Sequence, residues 1–221
     1  NGAGKTTASY TILPEMLDCK EFVNADEIAR GISPFNPEAA NIKAARLMLQ
    51  RIAELIETGV DFALETTLST RSYAKLIKES IKHDYHVTLV YFWLSSENLA
   101  VRRVEVRVRE GGHNIPENVI RRRYKKGLAN FFNLFQPLVH NWMFIDNSNG
   151  DYKIMAQGSG QKEEVITSDE WFKIKKDYEK IVKGLELAFQ RLLEFKRQKK
   201  TPLVLSVDGE IVEVNPDDIK R

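Results

Sequence analysis

Asn1-Gly2-Ala3-Gly4-Lys5-Thr6-Thr7 opens the chain, and its reading decides the fold. It matches the last residues of a phosphate-binding loop of the form G-x-x-x-x-G-K-[ST], whose first glycine would lie before Asn1. Glycines let consecutive backbone N–H groups curl around an anion with no Cβ in the way, and the N-terminus of the following helix adds partial positive charge. Lys5 then reaches the β- and γ-phosphates of a nucleoside triphosphate, and the Thr6 hydroxyl is the metal ligand for Mg²⁺. The plainer alternative is a glycine turn capping a helix. It would place a lysine in the first helical turn against the macrodipole, which is expected only where an anion is present. Asn1, Gly2, Ala3, Gly4, Lys5, Thr6 and Thr7 are therefore expected to bind the nucleotide. In folds built on this loop the strand leading into it lies mid-sheet, so that central strand is expected before Asn1.

Composition sets the bounds. The 221 residues, 43% hydrophobic and 29% charged, suffice for one α/β domain of ordinary core size plus an extension. A net charge of +2 gives no general attraction to nucleic acid or to an anionic membrane, so neither is expected as a partner. Cys19 is the only cysteine, which excludes an internal disulfide and points to the reducing cytoplasm. The longest apolar runs, such as Val87 to Leu94, are of strand length and far short of a membrane span. His83, His86, His113 and His140 lack metal-ligand spacing and a partner cysteine cluster, so no structural zinc site is expected.

Outward from the loop, helices alternate with short apolar runs, the pattern of a parallel sheet covered on both faces. A helix from Lys5 is expected to stop near Pro14. Glu21 to Asn24 reads as a strand and Ala25 to Arg30 as a helical turn. Gly31 to Pro37 reads as a loop, because its two prolines forbid a continuous helix. Pro37 and Glu38 start a long helix with Ala45, Leu49, Ile52 and Ile56 on one face, ended by Gly59. Val60 to Glu65 and His86 to Trp93 read as strands with a helix from Ser72 between them. Ser95 or Ser96 caps a helix running to Glu110. The break Gly111-Gly112-His113-Asn114-Ile115-Pro116 and a second helix, from Pro116 to about Asn141, have the build of a mobile lid. Trp142 to Asp146 reads as the sheet's final strand. Beyond Asn147-Ser148-Asn149-Gly150 the character changes to a polar strand ending near Gly160, a helix from about Ser168 to Lys196, and a hairpin in which Asp208-Gly209 joins Leu203 to Val207 with Ile211 to Val214.

Neither an L-S-G-G-Q element nor N-K-x-D is present, which argues against an ABC-type ATPase and a GTPase. The strand Phe62-Ala63-Leu64 ends in Glu65-Thr66-Thr67, with Glu at the Walker B position. A small-molecule kinase is the class that remains.

Asn24-Ala25-Asp26-Glu27-Ile28, Phe35-Asn36-Pro37-Glu38, Leu64-Glu65-Thr66-Thr67 and Gly111 to Pro116, in this order behind the phosphate loop, resemble the zeta-toxin-like P-loop kinase family, its chromosomal zeta-like ATPase branch in particular. The likeness covers residues 1 to about 150. It implies an α/β fold: a P-loop kinase-like parallel sheet sandwiched by helices, with a helical lid and a C-terminal α+β extension, the N-terminal central strand being missing from the chain. The expected division is 1–150 for the kinase-like domain and 151–221 for an extension packed on it. The implied activity is an ATP- and Mg-dependent kinase that phosphorylates a hydroxyl of a small molecule; the family's toxins act on a UDP-sugar. An antitoxin protein is the implied partner. The alternative is an ATP-binding regulator with slow or no hydrolysis.

Asp26 lies just past a strand at the carboxyl edge of the sheet, where ligands bind in such folds, and it matches the family's catalytic aspartate. There it would take the proton of an attacking hydroxyl; the alternative is a helix cap. Glu65 and Thr67 match positions that touch the acceptor or the metal shell, or else they satisfy a turn. Arg103, Arg107 and Arg109 lead into the lid and Arg121, Arg122 and Arg123 follow it; fork-shaped guanidinium groups suit a transferred phosphoryl group, although most must be solvated or paired. Arg103, resembling the family's first lid arginine, is the chosen catalytic contact beside Lys5, and His113 falls where the toxins carry a second arginine. Phe131, Phe132 and Phe135 read as core, and Lys196 to Lys200 as a solvated helix end.

Overall fold

The computed structural model describes residues 1–16, 19–112, 114–160, 162–207 and 210–219. They form two compact units, Asn1–Ser168 and Asp169–Arg221.

In the first unit, α1 (Lys5–Met16) springs directly from the glycine loop. It continues through Pro14 instead of stopping there, since a proline near the helix end removes only the bond its nitrogen cannot donate. β1 (Glu21–Val23) and β2 (Phe62–Leu64) pair in parallel, Val23 opposite Leu64. Between them run α2 (Ala25–Ile32), a 3₁₀ turn (Pro37–Ala40) and α3 (Asn41–Thr58). Gly59 closes α3 at φ 67°, with its N–H on the Ile56 and Leu55 carbonyls, so glycine meets the left-handed requirement of that cap. Val23, Met48, Ile52, Leu55 and Ile56 form the buried core under this pair of strands. α2 is longer than the single turn expected and takes in Gly31 and Ile32.

α4 (Tyr73–Lys82) leads to β3 (Thr88–Trp93), which pairs in parallel with β4 (Asn141–Asp146). The chain between them forms α5 (Glu97–Arg109) and α6 (Glu117–Asn130). α5 starts at Ser96, whose Oγ accepts from Leu99 N at 3.1 Å. Regular α-helix ends at Asn130 and one π-turn, Phe131–Phe135, follows, well short of the expected end near Asn141, because Pro137 forbids continuation. Phe131 and Phe135 are fully buried, and the Phe131 ring lies 5.2 Å from that of Phe144, as the core reading requires.

One difference from the expected sheet stands out. β4 is not its last strand: β5 (Lys153–Ser159) pairs antiparallel with β4, and β6 (Lys162–Val165) with β5, so the sheet runs past residue 150 and is mixed. As expected of strands flanking the one that leads into a phosphate loop, β2 and β3 do not pair with each other among the described residues. A cavity of about 500 Å³ lies between them, lined by Phe62 to Leu68 and Tyr85 to Leu94.

The second unit carries α7 (Ser168–Lys199) and a hairpin of β7 (Leu203–Val207) with β8 (Glu210–Val214). The Asp208-Gly209 turn lies outside the described residues. Arg197 donates to Asp217 Oδ1 at 2.9 Å and to the Pro216 carbonyl at 2.8 Å, so the basic run at the helix end is not wholly solvated. Among the described residues, no helix is long and apolar enough to cross a membrane.

Candidate functional site

Gly2 and Gly4 stand at φ 70° and 76°, the left-handed conformation that turns successive N–H groups toward one point at the start of α1. Neither tolerates a side chain. A Cβ on Gly2 would lie 2.9 Å from the Ala100 carbonyl, and one on Gly4 would lie 2.5 Å from Asn147 Nδ2. Phosphate oxygens would meet here a backbone nest and a helix N-terminus together.

Glu65 is the hub of the polar network beside this nest. Its Oε2 accepts from Thr6 Oγ1 at 2.6 Å and from Asn24 Nδ2 at 3.2 Å, and its Oε1 lies 3.3 Å from Lys5 Nζ. The side chains of Lys5 and Glu65 are 18% and 16% exposed, so this pair is shielded enough to be stronger than a surface bridge. The geometry puts Glu65 beside the Thr6 hydroxyl at the start of α1.

Asp26 does not cap α2. That task falls to Asn24, only 6% exposed, whose Oδ1 accepts from Asp26 N at 2.9 Å. The Asp26 carboxylate is exposed and lines a cavity of about 710 Å³ that also takes in Asn1 to Thr7, Glu65, Thr67, Arg103, Arg107 and Arg123. The phosphate loop, the aspartate and three arginines from two helices thus share one space.

The cations facing this space are Lys5, Arg103, Arg107 and Arg123, set against the carboxylates of Asp26, Glu65 and Glu110. Arg103 also faces the cavity, but its guanidinium donates to backbone, to the Ser148 carbonyl at 2.9 Å and the Gly2 carbonyl at 3.5 Å. Arg121 turns elsewhere, to Glu117 and Asn98. His113 lies outside the described residues.

The opposite wall is the turn after β2. Thr67 Oγ1 and Ser69 Oγ are 2.9 Å apart, and Thr66 Oγ1 accepts from Leu68 N at 3.1 Å. Leu68 is buried at φ 57°, an uncommon conformation for a residue with a side chain, and Asn130 Nδ2 holds its carbonyl at 2.8 Å. Strain held in place by surrounding contacts is characteristic of ligand-binding turns.

A family model, described as Zeta toxin, matches residues 1–150. The chain belongs to the zeta toxin family. An uncharacterized protein of Haemophilus influenzae is 32% identical over 126 residues, 56% of this chain and 86% of that protein. A solved structure from the PezAT chromosomal toxin–antitoxin system of Streptococcus pneumoniae shares the fold, with a TM-score of 0.54 over 84% of this chain and 83% of that one, at 15% identity. Zeta-family membership places the chain, at family level, among P-loop kinase-like phosphotransferases.

Three participants escaped the sequence reading of this zeta-family chain. Asn24 was visible only as part of a motif, and its double use as cap and as Glu65 partner needs coordinates to see. Asn147 and Tyr152 lie where the chain changes character, a stretch to which the sequence assigned no part in the site. Their one signal is chemical, since an asparagine directly after a buried strand is a ready donor for the loops at the carboxyl edge of the sheet.

Proposed function

We propose that the protein is an ATP- and Mg²⁺-dependent kinase that transfers the γ-phosphate to a hydroxyl of a small molecule, a nucleotide sugar being the class the family resemblance favours. The observation that carries this reading is the convergence of the phosphate loop and an uncapping, exposed Asp26 in one cavity. A mere nucleotide binder has no use for the second.

In this reading the Gly2 to Thr6 amides and Lys5 bind the triphosphate. The donor set suits Mg²⁺, which takes oxygen ligands and keeps several waters: Thr6 would hold it directly and Glu65, 2.6 Å from Thr6 Oγ1, would bind its waters. The bound ion would supply charge neutralisation between the β- and γ-phosphates. Asp26 accepts the proton of the attacking hydroxyl, while Arg107 and Arg123 face the charge spreading over the transferred group. Thr67 and its neighbouring hydroxyls offer hydrogen bonds to a polyhydroxylated acceptor. A toxin role would require an antitoxin protein that denies ATP access to this cavity.

The test is transfer of labelled γ-phosphate from ATP to a panel of UDP-sugars, nucleosides and sugar alcohols. Label appearing on one class and dependent on Mg²⁺ supports the proposal; label released only as inorganic phosphate across the panel counts against it.

A further inference from the structure

In a phosphate-binding nest every peptide that turns its N–H toward the anion turns its C=O the other way. Those carbonyls need donors of their own, or the peptides gain by flipping and presenting oxygen to the phosphate. Here three consecutive carbonyls are met by three side chains, the Gly4 carbonyl in addition to the helical bond it accepts from Ala8 N at 3.0 Å. Arg103 Nη1 on α5 stands 3.5 Å from the Gly2 carbonyl, Asn147 Nδ2, directly after β4, donates to the Ala3 carbonyl at 2.9 Å, and Tyr152 Oη, just before β5, stands 3.5 Å from the Gly4 carbonyl.

We propose that Arg103, Asn147 and Tyr152 form a three-point clamp on the back of the phosphate loop, positioning residues that hold its amides ready for the nucleotide. The inference rests on the nucleotide reading of Asn1 to Thr7 and assigns Arg103 to the loop's support.

Each member is itself fixed. Asn147 is 3% exposed and its own N–H donates to the Trp93 carbonyl at 3.0 Å, so the donor is anchored to the ends of β3 and β4. Arg103 ties the same segment down through the Ser148 carbonyl at 2.9 Å. Tyr152 adopts φ 48°, a conformation disfavoured for an aromatic residue, and its ring sits edge-on to Phe92 with centroids 5.8 Å apart. That strained backbone is what brings its hydroxyl under Gly4. The inner contact at 2.9 Å is a full hydrogen bond and the outer two, at 3.5 Å, are at the long limit, so Asn147 carries most of the effect.

The experiment measures Mg·ATP affinity of the full chain by titration with a fluorescent ATP analogue, with KM and kcat for phosphate transfer and thermal stability in parallel. Asn147→Asp keeps the shape and removes the donor. It should weaken Mg·ATP binding about tenfold or more, the effect of losing one buried hydrogen bond, with a raised KM for ATP and kcat at saturating ATP within about a factor of two of the parent. Asn147→Ala should do the same, and Tyr152→Phe, which keeps the ring and loses the hydroxyl, should weaken binding about two- to threefold.

A purely structural Asn147 would lower the melting temperature and leave Mg·ATP affinity unchanged, which would overturn the clamp. Should the Asn147 variants not fold, an unchanged affinity in Tyr152→Phe overturns it alone. Lys5→Ala separates the two levels of the argument: if it too binds Mg·ATP normally, the nucleotide reading falls and the clamp with it, whereas weakened binding in Lys5→Ala beside normal binding in Asn147→Asp and Tyr152→Phe removes the clamp only.

Discussion

Asn24 couples three parts of the site, and substitutions can separate its two bonds. Its Oδ1 caps α2 through Asp26 N at 2.9 Å, and its Nδ2 donates to Glu65 Oε2 at 3.2 Å, joining the ends of β1 and β2 behind the phosphate loop. Asn24→Ser retains a capping oxygen and loses the bridge. A hydrogen bond to a charged group contributes about 1.5–3 kcal/mol, and the 3.2 Å length argues for about 1.5 kcal/mol here. Asn24→Ala loses the cap as well, worth about 1 kcal/mol, so about 2.5 kcal/mol in all. Asn24→Asp caps as well as asparagine but sets a second carboxylate against Glu65, and at pH 7 it should be at least as unstable as Asn24→Ala. The repulsion raises the folded-state pKa of that carboxylate pair above its unfolded value. The Asp variant's deficit is therefore fully present above the folded pKa and should close as pH falls toward 4, about the ordinary carboxylate value. The assay is urea unfolding of the full chain with hydrogen exchange read on peptides of the first unit. An Asp variant as stable as the parent at pH 7, or Ser and Ala variants equally unstable, would refute the account of Asn24 as both cap and bridge.

Two further outcomes are expected. Asp26→Asn should lower γ-phosphate transfer by on the order of 10² to 10⁴ with Mg·ATP affinity and melting temperature near the parent's, since Asn24 keeps the cap; transfer at the parent rate would remove Asp26 from the chemistry. Gly127→Ala gains about 1 kcal/mol of helix propensity, but its Cβ would lie 2.9 Å from the Thr67 carbonyl and 3.3 Å from Tyr91 Oη, and overpacking of that kind costs about 1–3 kcal/mol. A net loss of thermal stability and a raised KM for the acceptor should follow, and a more stable variant would show that α6 does not brace the turn at Thr67.

The parts of the fold legible in the sequence are those set by local rules. Gly59 and Ser96 announce themselves through backbone conformation and capping, and they end α3 and start α5 where expected. Of the expected apolar face of α3, Ile52 and Ile56 are buried, but Ala45 and Leu49 are exposed and Ala44 and Met48 are buried in their place. The turn from Pro37 is 3₁₀ and α3 starts at Asn41. What the sequence hid depends on contacts far along the chain. Lys153–Ser159 read as a polar strand of a separate extension, yet β5 pairs with β4 and β6 with β5, so both belong to the sheet of the first unit, a pairing that local pattern does not announce. At the site, Lys5, Thr6, Asp26 and Glu65 stood in recognisable motifs and lie together. Arg103 stood out among six arginines only through its resemblance to a lid arginine, and the carbonyls it donates to, Ser148 and Gly2, lie far from it in sequence.

Glu65 explains how such a site is stable while it waits for its ligand. Lys5, Arg103, Arg107 and Arg123 line one cavity, and like charges in a partly dry space repel one another. A carboxylate 3.3 Å from Lys5 offsets that cation, and the same carboxylate holds Thr6 and Asn24 in place. On the proposed reading the arriving triphosphate takes over Lys5, which leaves Glu65 to serve Thr6 and the waters of the metal. Binding then exchanges one ion pair for another, so the site is organised before the nucleotide arrives and gives up little geometry when it does.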